Sequence, residues 1–322
     1  MTGVRSKVLA WAAAGAVPAD RLQDALRLLG VLPTAAAWRR FLDRLSLWLG
    51  AAALGAAVIF FVAANWAAIG RWGKFALVEA IVAGAVVAYV WLGTERTSAK
   101  AALLGASFAL GALLALVGQT YQTGADTFEL FGSWAALMLP WVVVGRFAGL
   151  WVLWLAVANL GVAFWLSAMG GFFGGRFMSE QPLWALAALD GGALAVWEVA
   201  SRRVDWLRER WAPRLLAVAS GGMVTALMLM AIGGWRHSSG AIVFAYPIWL
   251  LGCYAAYRLL VPDLFMLAGC CLSFIVVVTA LLGRHVLDEH AASSFLLIGV
   301  AIIVMAGAAA VWLRAVGREQ SA

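Results

Sequence analysis

Ten apolar segments follow one another along the chain, at about 47–68, 72–93, 99–119, 128–145, 147–168, 183–200, 214–233, 240–260, 262–283 and 292–313. Each is long enough, or nearly so, to cross a ~30 Å hydrocarbon core at ~1.5 Å per residue. The runs do not alternate apolar with polar residues, which argues against a transmembrane β-barrel. The expected fold is therefore all-α. It is a polytopic helical membrane bundle of about ten transmembrane helices, preceded by a short N-terminal amphipathic helical segment. Residues 1–46 are expected to be cytoplasmic amphipathic helices, 47–313 the bundle and 314–322 a cytoplasmic tail. The short connection at 145–147 leaves open a single broken helix in place of two.

Composition agrees. Only 12% of the 322 residues are charged, against about 25% in an ordinary soluble protein. The 34 glycines and 18 tryptophans suit close helix packing and interfacial anchoring. The net charge of +7 is explained by topology and not by nucleic acid, so no nucleic-acid partner is expected. Eighteen of the 23 Lys and Arg residues fall on the side of the N-terminus and five on the other. That asymmetry places both termini in the cytoplasm. Membrane lipids are the first expected partners.

The N-terminal segment does not read as a signal peptide, because Pro18, Asp20, Arg21, Asp24 and Arg27 stand where an apolar core belongs. Leu22, Ala25, Leu26 and Leu29 form one helical stripe. Trp38, Phe41, Leu42 and Leu45 form a second, opposite Arg39, Arg40, Asp43 and Arg44. A helix lying on an anionic membrane surface fits this pattern, and so does a small helical domain. The loop Ser201–Trp211 is basic with interleaved aromatics and reads as a surface helix touching lipid headgroups.

Polar residues within the apolar runs are the candidate sites, since a charge at mid-span costs roughly 2.5–3.5 kcal/mol and usually faces protein or water. Asp190 is central in the sixth run. Gly191 and Gly192 follow it and could interrupt the helix, as in discontinuous transporter helices. Asn159 is at similar depth in the fifth, so antiparallel neighbours would bring the two within hydrogen-bonding reach. Glu79 lies in the second run, beside a small-residue ridge of Ala80, Gly84 and Ala88. The polar turn Gly118–Leu130 carries Gln119, Tyr121, Asp126 and Glu129 and no basic residue. With Asn65 and Glu79 these residues could line one outward-facing polar cavity. Alternatively, Asp126 caps the following helix.

Asn65-Trp66 at the end of the first run resembles the first-span signature of a bacterial membrane family, domain of unknown function 2157. The run Gly118-Gln119-Thr120-Tyr121-Gln122 through Asp126, then Trp134 and Leu139-Pro140-Trp141, is similar to the same family, as are the N-terminal helices. The resemblance covers about residues 1–145. It implies a multi-pass protein of the bacterial inner membrane, makes a partner protein plausible, and implies no activity.

Cys253, Cys270 and Cys271 read as small packing residues. His237, His285 and His290 are solvated loop residues on this reading, so no metal site is expected. No cofactor is expected either. HExxH, GxSxG, P-loop and dinucleotide motifs are missing from the sequence, and Gly170–Gly175 reads as a loop between spans. The chain is thus not expected to be an enzyme. The leading functional expectation is transport or binding of a small solute through the outward-facing cavity. The alternative is a non-transporting subunit, scaffold or sensor that binds a partner membrane protein or a second copy of itself.

Overall fold

In a computed structural model, residues 8, 10–29, 35–43, 45–46, 49, 64, 66–122, 124–172, 180–234, 240–286 and 291–319 are described. The apolar run at 47–68, including Asn65, lies largely outside these residues. So do His237, His290 and residues 173–175 of the Gly170–Gly175 stretch, together with the side chain of His285. The chain divides into two compact units, Met1–Lys74 and Phe75–Ala322.

In the first unit Pro18 precedes a 3-10 turn, Ala19–Arg21, with extended backbone (φ −59°, ψ 143°). The short helix α1, Leu22–Leu28, follows at once. Its Arg27 reaches Asp24 one turn back at 3.5 Å. Residues 35–43 are helical, and Trp38 and Phe41 meet edge to face with ring centres 5.7 Å apart. Trp38, Phe41, Leu42 and Leu45 are all more than 40% exposed, so this stripe is not buried in a core.

Nine long helices follow among the described residues, each apolar enough to cross a membrane. They are α2 (Arg71–Leu92), α3 (Thr97–Tyr121), α4 (Thr127–Gly145), α5 (Ala148–Phe172), α6 (Glu180–Ala200), α7 (Trp211–Ile232), α8 (Ala241–Ala255), α9 (Leu264–Val286) and α10 (Ala291–Glu319). A π-turn, Ala256–Leu260, extends α8. These nine match the second to tenth apolar runs, and no strand occurs among the described residues. The protein is a polytopic helical bundle.

Short connections make sequential helices antiparallel neighbours: α4 packs on α5, α6 on α7, and α9 on α10. Only Arg146 and Phe147 separate α4 from α5. Arg146 adopts a left-handed conformation (φ 46°), so this is a tight helical hairpin and not one broken helix. A Cβ on Gly145 would stand 3.0 Å from Leu103 and Leu150, so a larger residue there would have to displace both side chains. Indole N–H groups, which find no water partner inside a bilayer, tie the first half together. Trp134 donates to the Ser107 carbonyl at 2.8 Å, joining α4 to α3, and Trp154 donates to the Ala135 carbonyl at 2.9 Å, joining α5 to α4. Between α6, α7, α8 and α9 lies a second core of Ala187, Val224, Leu227, Ile242, Tyr246 and Val277.

Two local expectations are corrected. Helix α6 runs unbroken through Gly191 and Gly192. Glycine costs only about 1 kcal/mol in a helix, and neither residue has a positive φ. The Ser201–Trp211 loop holds one 3-10 turn, Asp205–Leu207, rather than a surface helix. Leu207 is buried, Trp206 meets Trp197 edge to face at 6.5 Å, and Trp197 donates to the Leu207 carbonyl at 3.1 Å. The loop's apolar side is thus used on the protein itself.

Candidate functional site

One polar contact within the spans joins α5 to α6. Asn159 Nδ2 donates to Asp190 Oδ1 at 2.8 Å and to the Leu155 carbonyl of its own helix at 2.8 Å. Asp190 is 2% exposed. The amide's donors thus have partners, while its buried Oδ1 has none among the described residues. An acceptor left unpaired in a span is costly, so this oxygen is the position where a further donor would bind.

Beyond that pair, α6, α7, α8 and α9 enclose a cavity of about 350 Å³. Its size is at the lower end of the range for small-molecule sites. No Lys, Arg, His, Asp or Glu lines it. Its polar wall comes from Ser220, Thr225, Ser273, Cys253 and Cys270, and from the aromatic residues Trp249 and Tyr257. Thr225 and Ser273 hydroxyls are 2.7 Å apart, and Ser273 is 2.9 Å from the Tyr246 hydroxyl. Cys253 and Cys270 touch across α8 and α9, and all three cysteines are free thiols. Helical spacing explains the assembly: Ser273 and Cys270 sit three apart on one face of α9, and Thr225 and Gly221 four apart on α7.

An ionic cluster closes the end of the bundle next to this cavity. Asp263, between the π-turn and α9, is buried and accepts from Arg210 Nε at 3.1 Å and from Arg214 Nε and Nη2 at 3.2 and 3.1 Å. It also accepts from the Phe265 backbone N–H at 3.0 Å. Arg210 reaches Glu198 of α6 at 2.8 Å. Arg214 lies over the Phe265 ring, 5.4 Å from its centre. Burial opposes ionisation of Asp263, but its hydrogen bonds and the two guanidinium charges outweigh that and hold its carboxyl below the usual range. Burial likewise opposes the charge on Arg210, and Glu198 and Asp263 overcome it. The cluster pins α6, α7 and α9 together. Sequence reasoning missed it, because each member reads as an ordinary interfacial charge. The one available signal was the acid in Val261-Pro262-Asp263, the only carboxylate in the ninth apolar run.

The polar turn stands at the opposite helix ends. Gln119, Tyr121, Asp126 and Glu129 are all exposed, as is Glu79. Tyr121 stacks obliquely on Phe75 with ring centres 6.1 Å apart. This brings the start of α2 beside the end of α3. Gln122 turns the chain in a left-handed conformation. Asp126 occupies the N-cap position of α4, but its side chain makes no capping bond; its carbonyl accepts from Glu129 N–H at 3.0 Å. Ala80 and Gly84 of the α2 ridge are exposed too. In the first unit Lys74 sits over Trp66 (4.7 Å) and Arg71 over Trp72 (5.1 Å). The stretch Gly118–Leu130 itself contains no basic residue, and Asn65 lies outside the described residues.

Residues 9–151 match the model of domain of unknown function 2157, described as "Predicted membrane protein". The N-terminal part of the chain is thus similar to that family. The match runs through the polar turn and the α4–α5 hairpin and ends inside α5. Asp190, the cavity and the ionic cluster lie beyond it. No curated protein matches the chain, and no solved structure does.

Proposed function

We propose that the protein is a multi-pass protein of the bacterial inner membrane, with both termini cytoplasmic, that binds a small molecule within its helical bundle. The observation that carries this reading is the cavity of about 350 Å³ between α6 and α9, with hydroxyl groups on an otherwise apolar wall. The role is one of binding rather than catalysis, in keeping with a sequence free of recognisable catalytic motifs. The 18-to-5 division of basic residues supports the orientation. Transport extends the same reading: Asp126 and Glu129 would form an outward mouth favouring cationic or hydrogen-bonding solutes. A second reading, a subunit or sensor that binds a partner, is favoured by the exposed Trp38–Leu45 stripe of the separate N-terminal unit.

Native mass spectrometry of the purified protein tests the first reading. A retained small molecule or lipid is expected, and Gly221→Leu should release it by driving a side chain into the cavity region. A bare protein mass in mild detergent, unchanged by that substitution, overturns the binding role. A stoichiometric partner with no retained ligand supports the second reading instead.

A further inference from the structure

The cavity opens sideways. Its rim is formed by Val218 and Gly222 of α7 and by Phe265, Gly269, Leu272 and Val276 of α9, all of them exposed. Gly222 lies one turn from Val218, and the α9 residues follow at i, i+4, i+7 and i+11, so each set is a single helix face. A Cβ added at Gly222 or Gly269 would meet nothing within 4 Å. The two glycines therefore border open space where neighbouring helices would otherwise close. Both faces lie within helices long and apolar enough to span a membrane, so the opening faces hydrocarbon and not either aqueous side.

The hydroxyls on the inner wall restrict what can enter. Ser220 donates to the Leu216 carbonyl at 2.9 Å, and Thr225 donates to the Gly221 carbonyl at 2.6 Å. With its proton committed, Thr225 accepts from Ser273 at 2.7 Å, and Ser273 in turn accepts from Tyr246 at 2.9 Å. Each hydroxyl has one proton, so the chain from Tyr246 to Gly221 leaves these hydroxyls no free donor. No charged side chain lines the space. With no cation and these protons already used, the wall has little with which to stabilise an anion.

We infer that the seam between α7 and α9 is a lateral portal, and that a hydrocarbon chain of a bilayer lipid enters through it to occupy the α6–α9 cavity. This rests on the reading of that cavity as a binding site and names its ligand class. The chain gains contact with Thr225, Ser273 and Cys253 on the inner wall, while the lipid headgroup stays at the interface.

The test uses the full chain in phosphatidylcholine vesicles containing a phosphatidylcholine with a diazirine near the end of one acyl chain. After illumination, cross-linked peptides are mapped by mass spectrometry. Labelling is expected at inner-wall positions around Thr225 and Ser273, as well as at outward residues such as Phe244 and Val300. Gly222→Phe with Gly269→Phe closes the seam. With the seam filled by two aromatic rings the acyl chain is excluded by bulk, so inner-wall labelling should be largely lost while Phe244 and Val300, both exposed, label as before. Gly222→Leu alone, checked for folding by its elution profile, should give a partial fall. Inner-wall labelling that is missing in the wild type, or unchanged in both variants, overturns the portal. Native mass spectrometry separates the two claims. A retained non-lipid molecule with an unlabelled inner wall sinks the lipid inference and keeps the binding reading; no retained ligand and no labelling sinks both.

Discussion

Replacing Asp263 by alanine is the sharpest test of how the bundle end is held. The substitution removes the acceptor shared by Arg210 and Arg214 and the side-chain oxygen that receives the Phe265 N–H. Deleting one partner of a buried ion pair costs about 3–5 kcal/mol. The two arginine side chains are 30% and 41% exposed. Water therefore replaces part of the lost pairing, and Arg210 keeps Glu198, so about 2–3 kcal/mol is expected. At roughly 2–4 °C per kcal/mol, the melting midpoint in detergent should fall by about 5–10 °C. Asp263→Asn keeps one acceptor for Phe265 and should lose less. Arg208→Ala breaks only the exposed pair with Asp205 and should leave the midpoint almost unchanged. The pH dependence has a definite sign. The folded carboxyl titrates below its unfolded value of about 3.9, so its stabilisation is present above that pH and is lost as pH falls through the folded value. The gap between wild type and Asp263→Ala should stay constant from about pH 8 to 5 and close below about pH 4. An alanine variant that melts with the wild type at neutral pH refutes the account of a stabilising cluster.

Three further outcomes are expected. A double-mutant cycle with Asn159→Leu and Asp190→Leu, read by unfolding in bicelles, should give a coupling of about 0.6–1.7 kcal/mol, as for other interhelical hydrogen bonds in membranes; additive effects would mean that the contact contributes nothing. Gly111→Ala places a Cβ 2.6 Å from the Trp134 ring, so it should displace the indole from Ser107 and lower stability by about 1–3 kcal/mol; an unshifted melting curve would contradict this. Single cysteines at positions 121, 126 and 129, in a background without the three native cysteines, should react with a membrane-impermeant thiol reagent added outside the cell. Reaction only after the membrane is opened would reverse the proposed orientation.

The apolar runs alone determined the class of fold and, within a few residues, the nine spans among the described residues. Lengths near 20 residues and the lack of alternation leave a bilayer little choice but helices. The Asn159–Asp190 contact was legible for the same reason: two polar groups at equal depth on adjoining antiparallel helices have few other partners. Pairings across distant parts of the chain were not. Glu198, Arg210, Arg214 and Asp263 each look like ordinary interfacial charges, and only the way α6, α7 and α9 come together decides which acid meets which arginine. The loop at Ser201–Trp211 has the composition of a lipid-facing helix; burial of Leu207 and the Trp197–Trp206 contact turn it towards protein. Gly191-Gly192 looked like a break and is not one, because neighbouring turns hold a glycine pair in a helix at modest cost. The lateral cavity had no sequence signal at all. Gly222 and Gly269 are ordinary small residues until α7 and α9 are set side by side and the missing side chains leave a gap.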